Sequence, residues 1–431
     1  MPSSALPDVL AVTPVVHRPD ATVRPPGSKS ITNRALLCAA LAPGRSTLTG
    51  VLFADDTRAM LSCVEALGAR VEADERTCTV AVTGIDPRSA DPAMVHARQS
   101  GTTSRFVLPV LALGSSRRVL DGDPQLRDRP FGPLVAALRE LGAVVDEPLR
   151  ADHLPLAVTG PVLGGRVRLP GHLSSQFLSG LLLAAPLMRD GLSVELTSTL
   201  VSVPYVTMTA AVMAAFGVDV DGVGNGSVDG LRVAPGAYRP ADFAVEPDAS
   251  AASYFLAAAA VTGGRITVAG LGTASLQGDV RFADVLERMG ARVERAESQI
   301  TVTGTGTLRG VDVDMADISD TAQTLAAVAV YAEGPTRVRG IGFIRGKETD
   351  RVGAVVAELR RAGIDAVEHE DGFTIYPGTP APTRFATYDD HRMAMSLALL
   401  GLRTPGIEIA GPRCVSKTYP GYFTDLAAVR G

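Results

Sequence analysis

Little in this chain suits a membrane, a metal or a nucleic acid. Its longest apolar runs, such as "SGLLLAAPLM" and "YFLAAAAV", fall far short of the roughly 20 residues of a spanning helix. Six scattered histidines offer no H-x-x-x-H or H-E-x-x-H helix face, so no metal site is expected. The four cysteines (Cys38, Cys63, Cys78 and Cys414) show no C-x-x-C spacing. Reduced thiols are expected, with a Cys63–Cys78 pairing left open. Basic excess is also lacking: 41 Lys and Arg against 46 Asp and Glu give a net charge of −5. That balance argues against nucleic acid or an anionic membrane as partner, so cations that cluster do so locally, in a pocket. The opening "MPSSALPDVLAVTPVV" has no basic n-region and is broken by prolines, so no secretory signal is expected and a cytoplasmic location is.

What is abundant is glycine, 44 of 431 residues, in a chain too long for one core. Some of these glycines keep time. A helical stretch ending apolar-Gly-apolar recurs as "LGARV" at Leu67, "LGAVV" at Leu141, "FGVDV" at Phe216, "MGARV" at Met289 and "AGIDA" at Ala362, spaced by 73 to 75 residues. Glycine after a helix takes the left-handed conformation and stops it. Alternating, β-branched segments such as "QITVTGTG" and "FTIYPG" follow. The period divides the chain into nearly six α/β units, larger than solenoid repeats. The sixth lacks its trailing strands, and "DVLAVTPVV" near the N-terminus can supply one, which would bring both termini into one domain. Two lobes of three units are expected.

Polar motifs punctuate the helix starts. "RPPGSKSITNR" has the ingredients of a phosphate loop, but Gly27 is followed by Ser28 and the G-x-x-x-x-G-K-[ST] spacing is absent. Ser28 or Ser30 can cap a helix there, placing Lys29, Ser30 and Arg34 at its positive end, which suits an anion. "QSGTTSR" surrounds Gly101 with small hydroxylated residues, allowing a ligand close to the backbone. "LRDRP" carries Arg127 and Arg129, and "GHLSSQFLSG" opens an apolar helix with Ser174, Ser175 and Gln176. "STLVSVPY" adds Ser202 and Tyr205. "GKETDR" sets Lys347, Glu348 and Arg351 within one helical turn, and "YDDHRMAM" sets Asp389, Asp390, His391 and Arg392 against an apolar helix. Lys417 and Asp320 complete the set. Singly, most read equally well as a turn, a surface loop or a capped or charge-paired surface helix, although the four consecutive ionisable residues of "YDDHRMAM" beside core are hard to place on a bland surface. Together they exceed what one phosphate needs and predict a pocket for two anionic ligands, with Asp320 and Glu348 available for proton transfer.

In sequence order, "PGSKSITNRALL", "SGTTSR", "DRPFGPLVAAL", "SSQFLSGLL", "SVPY", "QGDVRFADVLERMGA", "GKETDR", "YDDHRMAM" and "KTYPGYF" resemble the 5-enolpyruvylshikimate-3-phosphate synthases, from residue 24 to residue 423. The resemblance implies a two-domain inverse α/β barrel of six βαβαββ repeats, with residues 27–246 as the middle domain and residues 1–26 with 247–431 as the other. It implies transfer of the enolpyruvyl group of phosphoenolpyruvate to the 5-hydroxyl of shikimate 3-phosphate, without cofactor or metal, by a monomer. By motif, Lys29 contacts both substrates. Ser30, Arg34, Ser174, Ser175, Gln176, Ser202, Tyr205, Asp320 and Lys347 match shikimate 3-phosphate positions. Gly101, Arg129, Gln176, Arg351, Arg392 and Lys417 match phosphoenolpyruvate positions, with His391 and Asp390 as further candidates. Asp320 resembles the base, Glu348 the proton donor, and Lys29 a third participant.

Three positions depart from the family pattern: Gln99 and Phe343, where asparagine is usual, and Phe106, where a proline commonly follows the arginine. A shift of the helix by Phe106 would weaken inhibition by glyphosate, which competes with phosphoenolpyruvate in this family; filling of a core gap is the alternative. A relative acting on a modified cyclitol is a rival reading. A UDP-sugar enolpyruvyl transferase is disfavoured, because the segment before Arg129-Pro130 carries no cysteine.

Overall fold

The computed structural model describes residues 6–89, 94–224 and 227–430, so the first five residues of the opening stretch lie outside it. The chain divides into two compact units. One is Gly27–Glu246; the other joins the segment before Gly27 to the segment after Glu246.

Each unit is built from three repeats of one motif, β-α-β-α-β-β, the last repeat of the chain being one strand short. In Gly27–Glu246 the first sheet runs, in spatial order, Asp242–Ala244, Gly44–Thr49, Thr79–Gly84, Arg70–Asp74. Its first pair is parallel, with Phe243 opposite Leu48, and the other two pairs are antiparallel, with Val80 opposite both Leu48 and Ala73. The same order recurs in Met94–His96, Arg118–Asp121, Leu156–Thr159, Val144–Asp146 and in Gly165–Leu169, Leu192–Leu196, Val228–Val233, Asp221–Val223. The other unit repeats it in Asp20–Val23, Arg265–Ala269, Gln299–Thr303, Arg292–Arg295 and in Asp312–Asp314, Thr336–Arg339, Gly372–Ile375, Ala366–His369. Its third sheet has three strands. There Val9–Val12 lies antiparallel to Ile407–Ala410, beside Arg384–Ala386, so the N-terminal segment does supply a strand missing from the sixth repeat.

The first helix of each repeat is interior, buried almost all round even where it carries polar side chains such as Asn33, Arg34 and Arg392. In one unit these are Lys29–Leu41, Gly101–Leu111 and Ser175–Ala184; in the other, Ala249–Thr262, Ala322–Ala329 and His391–Ala398. Within each unit the inner helices pack on one another, while second helices such as Asp55–Ala66 and Arg351–Arg361 keep an exposed face. Sheets outside and helices inside make each unit an inverse α/β barrel.

The five periodic glycines all have positive φ: 103° at Gly68, 99° at Gly142, 80° at Gly217, 105° at Gly290 and 79° at Gly363. A methyl group at Gly142 or Gly363 would meet nothing within 4 Å, so backbone conformation, not space, selects glycine there.

One feature escaped the periodicity. The strand Asp20–Val23 precedes the helix Lys29–Leu41 in sequence, yet it pairs with Arg265–Ala269 in the other unit. Conversely, Asp242–Ala244 pairs with Gly44–Thr49. The chain thus exchanges first strands at its two crossings. In each unit a backbone hydrogen bond stands where the covalent link would be: Ser28 N–H donates to Glu246 O at 2.9 Å, and Asp248 N–H to Pro26 O at 2.8 Å.

Candidate functional site

In Gly27–Glu246 the inner helices begin on serines. Ser28 Oγ accepts from Ile31 N–H at 3.4 Å, Ser100 Oγ from Thr103 N–H at 3.2 Å and Ser174 Oγ from Gln176 N–H at 3.3 Å. Neutral caps satisfy one amide each and leave the positive end of the helix uncompensated, the arrangement that suits a phosphate. The helix Val203–Ala215 starts on Ser202 with φ of 55°, a strained left-handed residue costing about 1–2 kcal/mol. Such strain is typical of sites where geometry is imposed.

The cations here do different work. Lys29 Nζ lies 3.4 Å from Asp56 Oδ2. Arg34 is 1% exposed and turned inward. Its Nε donates to Thr209 Oγ1 at 2.8 Å, Nη1 to Ser30 O at 2.8 Å, and Nη2 to Tyr205 O at 3.1 Å and Ser179 Oγ at 3.4 Å. Four of its roughly five N–H donors are therefore committed to protein, and burial pushes its pKa down to about 10. Expected as a residue that holds the shikimate part, Arg34 here ties together the helices that carry Ser30, Ser179 and Tyr205. Arg129 lies against the backbone of Gly101, where a methyl group would come within 2.8 Å of Cζ. Gln176 joins two helices, its Oε1 accepting from Arg105 Nη1 at 2.6 Å and its Nε2 donating to Thr102 Oγ1 at 3.2 Å. Ser174, Ser175 and Ser202 are all buried.

In the other unit aspartates cap two of the three inner helices: Asp248 accepts from Ala251 N–H at 2.9 Å and Asp390 from Arg392 N–H at 2.8 Å, while Ala322–Ala329 starts on Thr321 without a side-chain cap. Arg351, 2% exposed, is the hub. Its Nε reaches Asp390 Oδ2 at 2.7 Å, Nη2 reaches Glu348 Oε2 at 2.7 Å and Asp390 Oδ1 at 3.3 Å, and Nη1 reaches Asp320 Oδ1 at 3.3 Å. Burial works against its charge, but Asp390 and Glu348 more than offset this, so the guanidinium is held above its ordinary range. Arg392 Nη2 pairs with Asp320 Oδ2 at 2.6 Å and Nη1 with Asp320 O at 3.1 Å. Lys417 Nζ lies 3.8 Å from Glu348 Oε1. Asp320, Glu348, Arg351, Asp390, Arg392 and Lys417 therefore form one connected cluster.

Some placements differ from expectation. The helix of "GKETDR" starts at Arg351 on the cap Asp350, so Lys347 and Glu348 sit in the preceding loop and share no helical turn with Arg351. A loop position frees Glu348 to fold back onto the Arg351 guanidinium. His391 is 1% exposed, its Nδ1 3.8 Å from Asp390 Oδ1, which makes it part of the core helix. Phe343 packs on the core. Phe106 is fully buried beneath Arg34, whose Cζ lies 4.9 Å from the ring centroid.

Sequence reasoning assigned no role to Asp279, although the "QGD" carrying it was in the matched motif. It is buried and accepts a hydrogen bond from Ser250 Oγ. Burial, and then the charge of Asp320, push its carboxyl up to about 7. Asp56 and Arg105 were missed too, since nothing in "ADDTRAM" or "TTSRF" says which side chains they meet.

Two inverse α/β barrels, each with polar helix starts beside buried cations, place the chain in the α/β class. Solved structures share it: the EPSP synthase of Acinetobacter baumannii matches with a TM-score of 0.81 at 26% identity, covering 98% of both chains. The enolpyruvyl transferase NikO of Streptomyces tendae matches in fold with a TM-score of 0.77 at 21% identity, covering 98% of this chain and 97% of its own. The family model described as EPSP synthase (3-phosphoshikimate 1-carboxyvinyltransferase) matches residues 16–426, and the chain belongs to that family. It is 44% identical to the 3-phosphoshikimate 1-carboxyvinyltransferase of Trichormus variabilis over 97% of this chain and 98% of that one. Identity to the Serratia proteamaculans protein of the same name is also 44%, over 98% and 99%.

Proposed function

We propose that this chain transfers the enolpyruvyl group of phosphoenolpyruvate to the 5-hydroxyl of shikimate 3-phosphate and releases phosphate. The observation that carries the reading is the cluster around Arg351, in which three carboxylates from separate elements (Asp320, Glu348 and Asp390) meet one buried guanidinium, flanked by Arg392 and Lys417. Proton-transfer groups and fixed cations in one place are what enol ether formation between two anions requires.

The serine-capped helix starts offer uncompensated positive ends and hydroxyls, so Ser174, Ser175 and Ser202 are proposed to bind the phosphate ester, with Ser30, Arg34, Gln176, Tyr205 and Lys347 beside the ring. Arg351, Arg392 and Lys417 are proposed to hold phosphoenolpyruvate with Arg129, Gly101, Lys29 and Gln176. Asp320 takes the proton of the 5-hydroxyl as its oxygen attacks C2, and Glu348 delivers a proton to the C3 methylene, giving a tetrahedral ketal. Glu348 then takes a proton back from the new methyl group as the double bond re-forms, and the phosphate leaves with the proton that Asp320 took from the hydroxyl. The substrate carboxylate competes for Arg351 and Lys417, releasing Glu348 from them to act as an acid. Lys29 supports both substrates through its charge.

The two compact units are proposed as the enzyme's two domains. A monomer in the cytoplasm is part of the same proposal. Mixing the protein with both substrates tests the reading: phosphate should appear in step with the enolpyruvyl product, and none with either substrate alone.

A further inference from the structure

We propose that Tyr388 and Glu358 are positioning residues for the phosphoenolpyruvate cations, holding a strained turn whose last residue, Asp390, orients Arg351 and Arg392. The inference rests on the function proposed above.

The turn is Thr387–Asp390, closed by Asp390 N–H donating to Thr387 O at 2.9 Å. Both central residues have positive φ, 54° at Tyr388 and 55° at Asp389. Positive φ at both centres is the type I′ pattern, which glycine and asparagine dominate because a β-carbon clashes there. A tyrosine in that place needs something to hold it. Its hydroxyl donates to Glu358 Oε1 at 2.8 Å, and the other carboxylate oxygen accepts from Ala386 N–H at 2.9 Å and Arg361 Nη1 at 2.6 Å. Glu358 is 1% exposed, a buried anion fully used by this loop and its own helix.

The spacing gives the tether its consequence. Glu358 and Arg351 lie on the helix Arg351–Arg361, seven residues or about two turns apart, and so on one face. Tyr388 and Asp390 lie two residues apart on the turn. One helix thus grips one turn twice, through Tyr388–Glu358 and Asp390–Arg351. Asp390 Oδ1 also accepts from Arg392 N–H. A rotation of the turn would therefore move the carboxylate that aims Arg351 and the backbone that carries Arg392. Neither Tyr388 nor Glu358 needs to touch a substrate.

Tyr388→Phe, which deletes only the hydroxyl, and Glu358→Gln test this. Both should raise KM for phosphoenolpyruvate about three- to tenfold, leave kcat within about twofold, and leave KM for shikimate 3-phosphate unchanged, since Arg351 and Arg392 keep their charge and lose only their orientation. An unchanged KM for phosphoenolpyruvate, whatever happens to Tm, overturns the proposal; so does an equal rise in both KM values. If the wild-type protein releases no phosphate, the function proposed above fails, and the tether is judged by amide hydrogen exchange alone. Faster exchange at Arg392 in Tyr388→Phe than in wild type then supports it, and equal exchange overturns it.

Discussion

Gly101 lies under the guanidinium of Arg129, so closely that a methyl group at residue 101 would come within 2.8 Å of Cζ. The backbone there is helical, and alanine would be favoured by helix propensity. The crowding comes from the far end of the Arg129 side chain, so it is that guanidinium that would have to move. Gly101→Ala should displace Arg129 and raise KM for phosphoenolpyruvate by about an order of magnitude, with Tm unchanged or slightly higher. Steady-state kinetics beside a melting curve decide this; a lower Tm with normal KM would show that the glycine serves packing.

Removing the proton-transfer groups should act on turnover. Asp320→Ala and Glu348→Gln are each expected to lower kcat by about two orders of magnitude or more. The glutamine keeps an oxygen for the Arg351 contact now made by Glu348 Oε2, so binding of both substrates should largely survive in Glu348→Gln. Calorimetric titration separates the two effects, and near-normal turnover in both variants contradicts the assigned roles.

Much of this was legible in the sequence because helix starts and stops leave local marks. Ser28, Ser100, Ser174 and Asp390 stand where the side chain must accept an amide, and Gly68 to Gly363 stand where φ must be positive. The missing strand of the sixth repeat was legible by counting. Interactions set by distant chain segments were not. Arg34 sits in an anion-site motif, but its acceptors at Thr209, Ser179 and Tyr205 lie 145 to 175 residues away, and so its inward turn leaves no local signal. The ring of Phe106 beneath that guanidinium is equally silent. First-strand exchange is invisible for another reason: Asp20–Val23 and Asp242–Ala244 obey the same repeat whichever sheet they join.

Asp279 gives the protein a pH signature. Its carboxyl is raised by burial and by Asp320 to about 7, from 3.8 in the unfolded chain. Between those values the folded state holds a proton that the unfolded state has lost. The contribution is therefore fully present below about pH 4 and is lost as pH rises towards 7. Asp279→Asn removes it, so the Tm of the variant minus that of wild type should increase from pH 4 to pH 8. Parallel melting curves across that range would place the Asp279 carboxyl in an unshifted state. Arg392 and Asp248 also face this carboxyl, so the comparison is made on the difference between the two proteins.

The most direct measurement is phosphate release on mixing the purified protein with shikimate 3-phosphate and phosphoenolpyruvate, with the organic product followed in the same sample. Stoichiometric phosphate and enolpyruvyl ether, dependent on both substrates, is the expected result. No release with these substrates, or release with a UDP-sugar acceptor in place of shikimate 3-phosphate, would contradict the reading of the Arg351 cluster as an enolpyruvyl transfer site for this pair.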